Sequence, residues 1–299
     1  MGNMRRFGGG VLVASAVLLT STSAKAEDIR GLVVRTLVLS EDTWLVGDVT
    51  CTVEGAPCIA FGAPDITLYL NGFTMTGLAN AATGCGGTSV MGEFGISTSN
   101  QRDVVIRGPG LIQRFRNSAV FFQGTARGRI ANVTATTNCI AGIQVNATSS
   151  GTLIEANVLV RNGHSVAGSA RGGITINGGS NNVIRWNETS GNGYADPPDD
   201  YGIGIVAGNN NLIEENTAMG NTNGIALFPA ATNTVVRDNL VVGNPPIQVS
   251  ASLPAIGGVD ILNLSSPGTS TFERNLCLTA IGAPCPDLSP FPIPRKPQP

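Results

Sequence analysis

A chain that repeats one short hydrophobic pattern along most of its length can bury that pattern only by stacking the repeats on one another. Here the stretch Gly173-Ile-Thr-Ile-Asn-Gly-Gly-Ser-Asn-Asn-Val-Ile-Arg-Trp-Asn187 aligns with Gly202-Ile-Gly-Ile-Val-Ala-Gly-Asn-Asn-Asn-Leu-Ile-Glu-Glu-Asn216, matching position for position in hydrophobicity. A Gly-Asn follows both at the same offset. Looser copies begin at Gly95, Ala119, Gly142, Gly224 and Pro246, so successive starts step by 24, 23, 31, 29, 22 and 22 residues. A period of this size marks a solenoid.

Each unit reads as short strands joined by turns. In Gly-Ile-x-Ile the two Ile point one way and the intervening residue the other, as period-2 geometry requires. Val183-Ile184 and Leu212-Ile213 open a second strand, and Asn187 and Asn216 then stand at a turn. The closing Asn recurs at Asn132, Asn157, Asn239 and Asn275. Asn suits left-handed turn geometry, and its amide can bond the same Asn one coil away. The pairs Asn157/Asn162, Asn187/Asn192, Asn216/Asn221 and Asn239/Asn244 keep one spacing, which predicts two stacked Asn ladders. A leucine-rich horseshoe has a similar period, but its longer Leu-based helical motif is absent. Short strands throughout a coil of this length predict an all-β parallel β-helix.

Composition agrees with that geometry. Charged residues make up 13% of the 299-residue chain and aromatic residues 5%, while 39 Gly supply tight turns around an aliphatic core. A net charge of −2 with scattered Lys and Arg leaves no footprint for nucleic acid.

The first 26 residues read as an export signal. Arg5 and Arg6 form a positive start, Gly8 to Leu19 a short apolar run, and Ala24-Lys25-Ala26 a cleavage site. That run is shorter than the roughly 20 residues a spanning helix needs, and no later stretch is long enough. The expectation is a periplasmic or extracellular protein, taken as a monomer.

Six cysteines suit such an oxidising compartment. Cys51 with Cys58 and Cys277 with Cys285 bracket short Pro-containing spans, which leaves Cys85 and Cys139 as a third pair. This is the simplest of fifteen connectivities. A zinc site is the alternative, but there is no C-x-x-C and one His in the whole chain.

Residues 95–275 resemble the right-handed parallel β-helix repeat family, the group that includes pectate lyases, polygalacturonases, alginate epimerases and periplasmic NosD-type proteins. Asp65-Ile-Thr-Leu-Tyr-Leu-Asn-Gly-Phe-Thr-Met-Thr-Gly77 is similar to the ITLDLNGHTITG segment common near the start of such proteins, with Tyr69 and Phe73 replacing polar residues. The resemblance implies a right-handed solenoid over 95–285, and residues 27–94 are expected to form a cap and the first coils. The Pro-rich stretch 286–299 is expected to be an extended tail, because Pro cannot supply ladder hydrogen bonds. The fold alone names no activity, since many functions share it.

Outward residues of the Gly-Ile-x-Ile strands should line a shallow groove. Two coils are longer than the rest, and their extra residues fall at Gly163–Arg171 and Gly193–Tyr201, directly before groove strands. Coils stack about 4.8 Å apart, so these two loops should be neighbours. The first carries His164, Ser165, Ser169 and Arg171; the second carries Tyr194, Asp196, Asp199, Asp200 and Tyr201. Asp199-Asp200 before a groove strand is similar to the Asp pair of polygalacturonases, although the Asn-Thr-Asp, Gly-His-Gly and Arg-Ile-Lys signatures of those enzymes are absent.

Adjacent carboxylates can divide into a general acid and a water-activating base. Asp196, Asp199 and Asp200 equally form a calcium-type ligand set, with Arg171 as proton acceptor in an elimination. Against both stands the plainer reading of a solvated Pro-Pro loop with a surface ion pair of small energetic value. The groove residues themselves are neutral. Gln144, Asn146, Thr175 and Asn177, with Tyr194 and Tyr201 on the loops, are expected to contact substrate.

Three functions of different class follow. One is an enzyme, a hydrolase, lyase or epimerase of acidic polysaccharide, using Asp199, Asp200, Arg171 and His164. Another is a non-catalytic β-helix that binds glycan or a surface partner. The third is a NosD-like accessory role in copper delivery, for which the chain offers few soft ligands.

Overall fold

Branched aliphatic residues at alternate positions build the solenoid. The computed structural model describes residues 28–80, 85, 90–163, 172–193, 200–244 and 258–286. Within these, Ile96, Val120, Ile143, Ile174, Ile203, Ile225 and Ile261 pair in register, strand to parallel strand. All seven are fully buried. Each such side chain stabilises by roughly 2 kcal/mol through burial, so the column is a continuous apolar spine.

These residues belong to one wall of the coil, a parallel sheet whose ten strands lie in sequence order. Its strands include Ile96–Ser99, Val120–Gln123, Ala141–Asn146, Gly172–Asn177, Tyr201–Asn209, Asn223–Thr232 and Val259–Asn263. The rest of each coil supplies two further strands, such as Val183–Arg185 and Glu188–Ser190, to an eighteen-stranded sheet. The fold is thus all-β, a right-handed parallel β-helix. At its start the strand Asp28–Val33 pairs with Thr43–Cys51 and begins the stack.

Two Asn ladders run through the core. One is Asn157, Asn187, Asn216, Asn239 and Asn275, each amide donating to the Oδ1 of the next. The other is Asn138, Asn162, Asn192, Asn221 and Asn244, closed by Asp260. A shorter ladder, Asn182 to Asn211, was not anticipated.

Left-handed backbone falls one residue before the first ladder, not on it. Ala156, Trp186, Glu215, Asp238 and Arg274 have φ between 50° and 57°. A ladder Asn must point inward to reach the next coil, so the strained conformation goes to its outward-facing neighbour. Asn132 is one of those left-handed residues, with φ 58°. The ladder position beside it belongs to Val133, whose N–H donates to Asn157 Oδ1.

The coil expected to start at Pro246 lies outside the described residues. Ile225 pairs instead with Ile261, and the last ladder step, Asn239 to Asn275, is 36 residues against 23 for the step before it. A third insertion therefore precedes Val259–Asn263. Pro246-Ile-Gln-Val imitates the repeat in hydrophobicity, but Pro245 and Pro246 have no N–H for a ladder.

Disulfides join Cys51 to Cys58, Cys85 to Cys139 and Cys277 to Cys285. Residues 1–26, expected to be an export signal, and the tail beyond Pro286 lie outside the described residues, as does Glu27. Among the described residues no helix is long and apolar enough to cross a membrane.

Candidate functional site

The outward face of the ten-stranded sheet is a row set by strand register. Ala60, Ser97, Phe121, Gln144, Thr175, Gly204, Ala226 and Leu262 follow one another across it. Ser99, Gln123 and Asn146 form the next row. The face divides into an open half and a filled half.

The open half is aromatic and amide in character. Phe94 and Phe121 stack face to face, with centroids 4.1 Å apart and planes 8° from parallel. Beside them Ser118 Oγ donates to Gln144 Oε1 at 2.9 Å, and Gln144 Nε2 donates to Asn146 Oδ1 at 3.1 Å. That relay fixes which way each amide faces. Gln144, Asn146 and Asn177 are half-buried and reachable from solvent. Phe121 was overlooked as a groove residue, although it occupies the x position of the copy beginning at Ala119.

The filled half contains two of the residues expected to contact substrate. Tyr201 and Thr175 were expected to meet a ligand, and both are 0% exposed. The Tyr201 ring lies back across the sheet, so that a Cβ on Gly204 would stand 2.3 Å from it. Its hydroxyl reaches Thr175 Oγ1 at 3.3 Å, and Phe228 meets its ring edge-on at 5.7 Å. With Ala226, Leu262 and Val206 these rings make a small apolar cluster outside the main core. An outward aromatic residue next to a Gly lowers its free energy by covering bare backbone, and here that leaves no groove surface at Thr175.

Of the acidic cluster, Asp200 is described. It is fully buried, its carbonyl accepts from Asn223 Nδ2 at 2.9 Å, and it packs so tightly that a Cβ on Gly193 would stand 2.6 Å from its own. His164, Arg171, Tyr194, Asp196 and Asp199 lie outside the described residues. Among the described residues no group of three His, Cys, Asp or Glu side chains could hold a metal ion. The calcium-type set of Asp196, Asp199 and Asp200 therefore has one described member.

Residues 95–276 match the sequence profile of a family described as "Right handed beta helix region". No curated protein matches the chain in sequence. Among solved structures, the Dettilon tailspike protein (gp208) is similar over 84% of this chain and 56% of its own, at 16% identity and a TM-score of 0.59. The periplasmic alginate epimerase AlgG is similar over 80% of this chain and 62% of its own, at 12% identity and a TM-score of 0.49. The chain thus spans less than two thirds of either protein, and the likeness to the tailspike at this identity is one of fold.

Proposed function

The chain belongs to the right-handed β-helix family, and from that premise we propose that it is an exported protein that recognises polysaccharide along the open half of its ten-stranded sheet. The observation that carries this reading is the juxtaposition of the stacked Phe94–Phe121 pair with the hydrogen-bonded Gln144–Asn146 pair. Sugar rings have an apolar face that rests on aromatic rings and hydroxyls that both donate and accept. A side-chain amide offers both functions in fixed positions. Export is supported by the N-terminal signal pattern and by three disulfides, which persist in oxidising compartments.

A catalytic reading has one observation in its favour. Asp200 is a carboxylate buried completely at the head of a groove strand, within the loop pair expected to wall the groove. On this reading Asp199 and Asp200 with Arg171 and His164 would cleave or epimerise what the groove binds.

The experiment is retention and product release with the purified secreted protein on acidic and neutral polysaccharides, with calcium or with chelator. Products are read as reducing ends and as unsaturated-uronate absorbance. Retention of a neutral polysaccharide without product, lost in a Gln144→Ala/Asn146→Ala variant, is the expected result. Product that disappears in Asp199→Ala/Asp200→Ala would establish the enzyme instead. Neither retention nor product on any polysaccharide would overturn both.

A further inference from the structure

The eighteen-stranded sheet carries a second concavity, on a different wall of the coil from the groove. Its outward row runs, in register, through Tyr69, Arg107, Ala131, Glu155, Arg185, Glu214, Arg237 and Glu273. Ala131 is a short side chain between long ones, and over it opens a cleft of about 730 Å³. That volume is within the ordinary range of ligand sites.

The charges along this row alternate from Glu155 onward, and Arg185 and Arg237 each find a carboxylate. Glu155, its side chain 6% exposed, accepts from Arg185 Nη2 at 2.7 Å and from Arg129 Nε at 2.8 Å. Glu214 likewise accepts from Arg237 Nη2 at 2.6 Å. Arg107 is excluded from the alternation because Ala131 stands where its carboxylate partner would be. Its exposed guanidinium makes no hydrogen bond or ion pair among the described residues. The charged residues lining the cleft are therefore Arg107, Arg129 and Arg185 against Glu155, three cations to one anion.

Aromatic rings bound the cleft at both ends. At one, Tyr69 stacks on Trp44, centroids 5.0 Å apart and planes 4° from parallel. At the other, Trp186 is 51% exposed, its Nε1 donates to Glu215 at 2.7 Å, and the Arg185 guanidinium lies 4.1 Å over its ring. From Tyr69 to Arg185 are four strand steps, about 19 Å at the usual spacing between strands. A positive trough of that length between two ring platforms suits an extended anionic chain and not a compact ion.

We infer that this cleft is a second binding site, separate from the ten-stranded groove, for an anionic polysaccharide whose carboxylate or sulfate groups pair with Arg107. Tyr69 and Trp186 receive its sugar rings. Glu155 holds Arg129 and Arg185 in place, so that their remaining N–H groups face the trough. Guanidinium is the side chain best matched to planar carboxylate and to sulfate, and its attraction weakens as salt rises.

The test uses gel retardation of the secreted protein by polygalacturonate, chondroitin sulfate and neutral dextran, with inorganic phosphate as competitor. Retardation by one or both charged polymers that weakens in high salt, with any dextran retention unchanged by salt, is expected. Arg107→Ala should lower affinity at least tenfold. Ala131→Glu should abolish binding by giving Arg107 an internal partner, while its thermal midpoint stays at or above that of the parent. Loss of charged-polymer retardation in both variants, with retention of neutral glycan unchanged, assigns the site to this cleft. Retardation insensitive to Arg107→Ala and Ala131→Glu would overturn the inference, as would full displacement by millimolar phosphate or no retardation by any charged polymer. The proposal for the groove survives each of those outcomes if dextran or another neutral glycan is retained through Gln144 and Asn146.

Discussion

Asn187 illustrates what one residue contributes to a stacked coil. Its backbone N–H and its amide both donate to Asn216 Oδ1, and the amide also reaches the carbonyls of Ile154 and Arg185. Its own Oδ1 accepts from Asn157. Replacement by Ala would strand several buried polar groups at about 1–3 kcal/mol each. Asn187→Ala is expected to destabilise by about 3 kcal/mol or more, measured as a lower urea midpoint. Glu155 makes a prediction in pH. Burial acts to raise its carboxyl, but hydrogen bonds from Arg185 and Arg129 outweigh that and hold it below the usual glutamate range. A carboxylate lowered by folding stabilises above its unfolded value and ceases to as pH falls through its folded one. The stability difference between the parent and Glu155→Gln should be full at neutral pH and shrink below the ordinary carboxylate range, as urea midpoints against pH would reveal. The Asn positions were legible in the sequence because each carries the period. Glu155 was not, because its partners Arg129 and Arg185 lie 26 and 30 residues away and belong to other coils.

At the scale of elements, strands are short and their connections do the distinguishing. Cys85–Cys139 closes a span of 54 residues, while Cys277–Cys285 closes 8. In the chain-entropy treatment of cross-links these correspond to about 4 and about 2.5 kcal/mol, because the longer loop removes more freedom from the unfolded chain. Cys85→Ser/Cys139→Ser is therefore expected to lower the thermal midpoint more than Cys277→Ser/Cys285→Ser, a ranking that calorimetry of the two variants would check. The element that sequence misplaced is the coil expected at Pro246. Its hydrophobic pattern was adequate, but Pro245 and Pro246 carry no backbone N–H to offer a parallel sheet. Val259–Asn263 supplies both the pattern and the donors, and it takes the place in the sheet.

For the whole molecule, a solenoid converts distance along the chain into height along an axis, and surfaces arise from residues about one coil apart. The period, the inward Ile column, the Asn positions and the two long coils can be read in the sequence because each is a local pattern repeated. Those patterns determined the fold, since an apolar strand face has no burial available except against the next copy of itself. Which outward residues remain open was decided by tertiary structure. Tyr201 folds over Gly204 onto Thr175 and closes half of the expected groove, an outcome that depends on three residues from two coils meeting on one face. Among the described residues Arg107 has no carboxylate partner, because register sets it beside Ala131, while Glu155 in the next coil is held by two other guanidinium groups. Register between coils follows from the stacking of inward side chains. The outward chemistry is carried along by it, so sequence determined the scaffold and only the stacked coils decided the site.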